Sequence, residues 1–231
     1  MKTYYQIDGP QTSLIVTDLD PVYQQAVRDL GYTEFPAGFG RTYPSDTPHL
    51  AQIYEHFARS VEPMLQQTAG LRAVPWEQAL HTFLQRIEGL SLNWWLAGSA
   101  ALAVRGIAVQ PRDFDLIVDQ HTALVLGEHL RDILVEPVHP VEGWFCAWWG
   151  RAFQHARFEW VGDVYAFIDE PEPSDFGPYA AQHLETLEWR GYPIRVPPLE
   201  LQHRVSIRRG LHERAALIQQ HIEQQKHKGT E

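Results

Sequence analysis

The chain has 231 residues, 44% hydrophobic and 21% charged, an ordinary globular composition long enough to bury one sizeable core or two small ones. With 19 Lys and Arg against 29 Asp and Glu, the net charge of −10 disfavours bulk nucleic-acid binding and leans toward a neutral or cationic acceptor. No apolar run approaches the roughly 18–20 residues that span a membrane, and the opening MKTYYQIDGP lacks the apolar segment of a signal peptide. A single cysteine, Cys146, leaves no internal disulfide to form and points to a cytoplasmic location. Its surroundings, WFCAWW, disfavour a thiolate, so it reads as structural.

In chain order, two alternating runs at 3–7 and 13–17 are split by Asp8-Gly9-Pro10, which predicts strand, turn, strand. Asp20-Pro21 opens a helix that Gly31 stops. The Gly-, Pro- and Ser-rich stretch 36–48 reads as a loop; within it GFGR at 38–41 offers a bare GxG that lacks the strand and helix of a phosphate loop. Residues 49–65 carry Ile53, Phe57, Val61 and Met64 on one helical face, and Pro75-Trp76-Glu77 begins another helix that ends at Gly89. A domain division near residue 70 follows from the short linker between them.

The stretch 93–119, NWWLAGSAALAVRGIAVQPRDFDLIVD, carries the chemistry. An apolar strand ends in Gly98-Ser99 and turns directly into a helix, a place where backbone N–H groups can meet an anion. On the following strand Asp113 and Asp115 share one face while Phe114, Leu116 and Val118 point to the other. Two carboxylates so placed repel one another unless a cation joins them, and a hard ion such as Mg²⁺ suits them. A third acid, Glu159, lies between Phe158 and Trp160 and faces away from the core they enter; Asp163 is its rival. Asp119 reads as a helix cap. The loop IDEPEPSDFGP reads as solvated, with a lid as the functional alternative. Arg204, Arg208, Arg209 and Arg214 make either a salt-bridged helical surface or a local positive patch, and the polar end QQHIEQQKHKGTE reads as a fraying helix.

The segment from Trp95 to Glu159 resembles the nucleotidyltransferase superfamily, which includes polymerase β, the aminoglycoside and lincosamide nucleotidyltransferases and nucleotidyltransferase-type toxins. Gly98-Ser99, Asp113 with Asp115, and Glu159 carry the resemblance, and Arg112 matches an Arg that recurs near the first Asp in the small antibiotic-modifying and toxin-like branches. The resemblance implies that Gly98, Ser99 and Arg112 hold a nucleoside triphosphate. It further implies that Asp113, Asp115 and Glu159 form the catalytic Mg²⁺ site, with Glu159 as third ligand or as base. The family's Lys-Asp pair has no counterpart; Glu213-Arg214 stands there instead.

The expected architecture is α/β (α+β): an N-terminal α/β module over 1–70, a mixed-sheet nucleotidyltransferase core over 71–200 and a C-terminal helical tail over 201–231. The expected reaction moves a nucleoside monophosphate to a hydroxyl on a small molecule, an RNA end or a protein. A toxin-like role would bring an antitoxin partner, and a catalytically silent nucleotide- or partner-binding relative is the alternative.

Overall fold

The Asp8-Gly9-Pro10 turn folds β1 (Lys2–Asp8) back onto β2 (Gln11–Thr17) in the computed structural model, which describes residues 1–228. Asp20 accepts a hydrogen bond from the Val22 N–H and starts a short 3-10 turn that runs into α1 (Gln24–Asp29). The stretch expected as a loop is instead largely strand: β3 (Thr33–Phe35) and β4 (Gly38–Pro44) complete an antiparallel sheet of order β1-β2-β4-β3. The two glycines of GFGR explain the difference. A Cβ on Gly38 or Gly40 would fall 2.1 Å or 2.3 Å from the carbonyl oxygens of Val16 and Leu14 on β2. They let two backbones approach closely, and no phosphate cradle is formed.

Helix α2 (Leu50–Thr68) buries Ile53, Phe57, Val61, Met64 and Leu65 along one face, as its spacing predicts. It also reaches across the chain: Gln67 Nε2 donates to the His155 carbonyl at 2.7 Å, and His56 Nε2 lies 3.0 Å from the Phe153 carbonyl. After the linker comes α3 (Trp76–Ile87). One apolar core runs through this boundary, uniting Val16, Leu30 and Phe57 with Phe83, Phe114 and Trp160.

The central sheet contains β5 (Trp94–Ala97), β6 (Asp113–Val118), β7 (Leu134–Pro140), β8 (Cys146–Gln154) and β9 (Ala156–Val164). Its order is β5-β6-β9-β8-β7, and only the β6–β9 pair is parallel. Between the strands lie α4 (Gly98–Ala103) and α5 (Gln120–His129), the latter capped by Asp119, whose Oδ1 accepts from the Thr122 N–H at 2.7 Å. On one face Phe114 and Phe158 stack with centroids 4.5 Å apart, and Phe83 of α3 stacks on Phe158 at 4.8 Å. That aromatic column helps to fix the β6–β9 register, because a slip of one residue would drive the rings out of the core. The opposite face is left for the site.

The chain closes with α6 (Pro178–Ala181), the hairpin β10 (Glu185–Trp189) and β11 (Tyr192–Val196), then α7 (Leu199–Arg208) and α8 (His212–Lys228). The last two helices pack back on α4 through Leu102, Leu199 and Ile218. The final residues of the fraying tail expected from the sequence lie outside the described residues. No helix among the described residues is long and apolar enough to cross a membrane.

Candidate functional site

Register builds a charged row across the sheet. Ala97 pairs with Asp115, Asp115 with Glu159, Glu159 with Arg151, and Arg151 with Glu136. One residue from each of the five strands therefore stands on the same line, facing away from the aromatic column. A parallel row holds Trp95, Ile117, Val161 and Trp149. Apart from Glu136 and Trp95 at their ends, these two rows floor a cavity of about 710 Å³.

The turn after β5 touches the row directly. Gly98 has φ +63°, and a Cβ there would sit 2.4 Å from Asp115 Oδ2, so only glycine allows this carboxylate to lie against the backbone. Gln202 of α7 steadies the same turn by donating its Nε2 to the Gly98 carbonyl at 3.3 Å.

The three acids have different surroundings. Asp113 pairs with Arg157, its neighbour in register. Glu159 Oε1 receives Arg151 Nε at 2.7 Å and lies 3.1 Å from Arg157 Nε. Burial works against charge on Glu159, but the guanidiniums of Arg151 and Arg157 outweigh it and hold its carboxyl below the usual range. Asp115 has no hydrogen-bond or ion-pair partner among the described residues. Burial first, then the charges of Asp113 and Glu159, push its pKa up to about 7.

Arg151 is the hub. It is 3% exposed, pairs with Glu136 and Glu159, and donates Nη1 to the Leu30 carbonyl at 3.1 Å. Arg41 of β4 meets the same carbonyl at 3.0 Å and lies 3.2 Å from Glu136, which also accepts from the Tyr43 hydroxyl at 3.1 Å. The N-terminal module thus contributes Arg41 of β4 and, from the turn after α1, Leu30 and Gly31 to the cavity wall.

Of the residues singled out in the sequence, Gly98, Asp115 and Glu159 line the cavity together. Asp113 shares the strand face of Asp115 two residues away but is not part of the cavity lining. Ser99 is half-buried in the first turn of α4, outside the cavity wall, and Arg112 is exposed with no ion pair among the described residues. The rival acid, Asp163, sits at the other end of β9 and accepts from the Gln120 N–H at 3.1 Å, serving the start of α5.

Two features were missed. The solvated reading of the Pro-rich loop does not hold for Asp175: it is 7% exposed and lines the cavity, in a loop tied down by Asp169, which accepts from Ser174 N and Tyr179 N at 2.7 Å each. Burial raises the Asp175 pKa. The arginine hub was the other. Its signal lay in RAFQHARFEW: a tight turn at His155 sets Arg151 opposite Glu159, and alternation sets Arg157 on the same face. Of the four C-terminal arginines, Arg209 reaches the cavity, while Arg208 pairs with Glu172 at 2.9 Å. Cys146 is buried and burial pushes its thiol up to about 11, an inert setting.

No protein family and no curated protein matches the chain. Among solved structures, a Thermotoga maritima protein named a "putative nucleotidyltransferase" is similar at 19% identity and a TM-score of 0.48, over 66% of this chain and 96% of that one. At that distance the likeness says nothing of chemistry.

Proposed function

We propose that the chain is a nucleotidyltransferase, moving a nucleoside monophosphate from a nucleoside triphosphate to a hydroxyl acceptor. The acceptor oxygen bonds to the α-phosphorus, the bond to the β-phosphate oxygen breaks, and pyrophosphate leaves. The observation that carries this reading is Asp115: an unpartnered carboxylate held by register between the Gly98 turn and Glu159 at the floor of a cavity.

The donor set fits a divalent cation in part. Asp113 and Asp115 share a strand face, and the mutual opposition to charge on Asp115 favours a cation there. Glu159, expected as the third ligand or base, is engaged by two arginines. Asp115 would therefore be the first ligand of Mg²⁺, joined by Asp113 once Arg157 releases it, with phosphate oxygens and water completing the shell. When bound, the ion supplies neutralisation of the triphosphate and acidifies the attacking hydroxyl. The backbone N–H groups of Gly98 and Ser99 and the guanidinium of Arg209 donate hydrogen bonds to phosphate oxygens. Glu159 stays ionised and fixes Arg151 and Arg157 beside the acids, so that positive charge already surrounds the place where negative charge develops.

Labelled ATP, CTP, GTP and UTP, each with Mg²⁺ and a panel of small hydroxylated acceptors, RNA and protein, test the reading. Transfer of label with release of pyrophosphate is expected, and its loss in Asp115→Asn. Absence of both transfer and Mg²⁺-dependent nucleotide binding in every combination would overturn it. A small-molecule acceptor leaves growth unaffected when the chain is expressed alone. An RNA or protein acceptor slows growth, Asp113→Asn relieves it, and an antitoxin partner then follows.

A second reading has its own observation. Both Asp113 and Glu159 are ion-paired, and among the described residues no group of three His, Cys, Asp or Glu is placed to hold a metal. A catalytically silent relative that binds a nucleotide or a partner is built in that way. Calorimetry separates the two: the silent relative binds nucleotide equally with and without Mg²⁺ and releases no pyrophosphate.

A further inference from the structure

Away from Asp115 the cavity becomes aromatic. Trp144 contacts Phe145 and Trp149, with ring centroids 4.2 Å and 5.2 Å apart, and Phe145 meets Phe176 edge-on at 5.4 Å. All four rings line the cavity. Next to Phe176 in the chain is Asp175, 7% exposed, with no side-chain partner among the described residues. Its own backbone N–H and the guanidiniums of Arg209, Arg214 and Arg208 favour its charge, yet none of the three arginines forms an ion pair with it.

An aromatic wall that ends in an unpaired, buried carboxylate has a specific chemical complement. Ring faces attract a cation that sheds its water, and a buried carboxylate left unpaired is costly, so an incoming positive charge is favoured twice. A nucleobase would stack on the rings and bring no charge for Asp175. Arg151 already covers Trp149, its guanidinium carbon 5.2 Å from the ring, which leaves Trp144, Phe145 and Phe176 as the free part of the wall.

We propose that this end of the cavity is a binding subsite for a compact organic ammonium: an amine or quaternary nitrogen against Asp175 and the Trp144–Phe145–Phe176 wall. If the ligand also carries a hydroxyl, it is the acceptor of the transfer, a step that rests on the nucleotidyltransferase reading; the binding itself does not. The apolar neighbours Val141, Ile117 and Val161 select a small ammonium with an apolar flank over a polyhydroxylated polycation.

Choline and its uncharged isostere 3,3-dimethyl-1-butanol, titrated by calorimetry and tryptophan fluorescence against the full chain, provide the test. Choline is expected to bind about tenfold tighter than the isostere. The preference should vanish in Asp175→Asn and shrink in Trp144→Leu, a change at a ring 44% exposed that spares the fold. MgATP binding should be unaltered in both variants. Equal binding of the two probes, binding of neither, or an Asp175→Asn variant that loses MgATP instead of choline would overturn the subsite. If wild type binds choline but neither binds nor turns over any nucleotide, the transfer reading falls and the subsite stands.

Discussion

Asp115 and Glu159 are register partners across the parallel β6–β9 pair, yet Glu159 meets two guanidiniums and Asp115 meets none. The sheet thus places an ionised acid and a proton-holding acid side by side. Asp115 rises from 3.8 in the unfolded chain to about 7 in the folded one, so the folded state binds its proton more tightly. Its contribution to stability is complete below pH 3.8 and is lost as pH rises through about 7. In chelator, Asp115→Asn should therefore raise the melting temperature by roughly 5 °C at pH 8 and by under about 1 °C at pH 4. A gain that does not change with pH would refute the assignment of that strain to the carboxylate.

Gly98→Ala tests the turn beneath the same carboxylate. The left-handed backbone costs an alanine about 1–2 kcal/mol, and its methyl would press on Asp115 Oδ2. Melting should fall accordingly and MgATP affinity should drop, whereas Ser99→Ala, outside the cavity wall, should leave stability unchanged.

Removing the hub separates pairing from packing. Arg151→Met leaves buried Glu136 with Arg41 and Tyr43 as its remaining partners and Glu159 with Arg157 alone, so a loss of roughly 3 kcal/mol is expected in urea unfolding. Adding Glu136→Gln should restore part of it, because one under-compensated charge is then gone. Additive losses in the double variant would mean that the two residues act independently.

Asp163→Ala addresses which acid belongs to the site. It removes a helix-start hydrogen bond at a residue with φ +53°, for a cost of about 1–2 kcal/mol, and leaves nucleotidyl transfer intact. Asp113→Asn should abolish transfer at little cost in stability. The reverse pattern would move the site to the far end of β9.

Much of the positioning was legible in local pattern. The Asp20 and Asp119 caps, the buried face of α2, and the opposite facing of Glu159 against Phe158 and Trp160 all follow from side-chain chemistry and period. What escaped depends on contacts distant in the chain. Gly38 and Gly40 look like loop punctuation until β2 is laid against them. Asp175 looks solvated because a run of Pro, Glu and Ser precedes it, and only the closed loop shows it buried beside aromatic rings. The pairing of Arg41 and Arg151 on Glu136 joins three strands, and nothing local announces it.

The Leu30 carbonyl receives both Arg41 and Arg151, and the second of these lies 121 residues further along. At about 5–20 residues per second, a ribosome exposes Leu30 roughly ten seconds before it delivers that guanidinium. The same delay applies to α2, whose polar ties reach the β8–β9 turn. During synthesis the first seventy residues therefore wait with an apolar helix face uncovered, and the chain acquires its cavity only as β8 and β9 arrive. Late closure, after β8 has been delivered, is the biosynthetic consequence of a carbonyl shared across 121 residues.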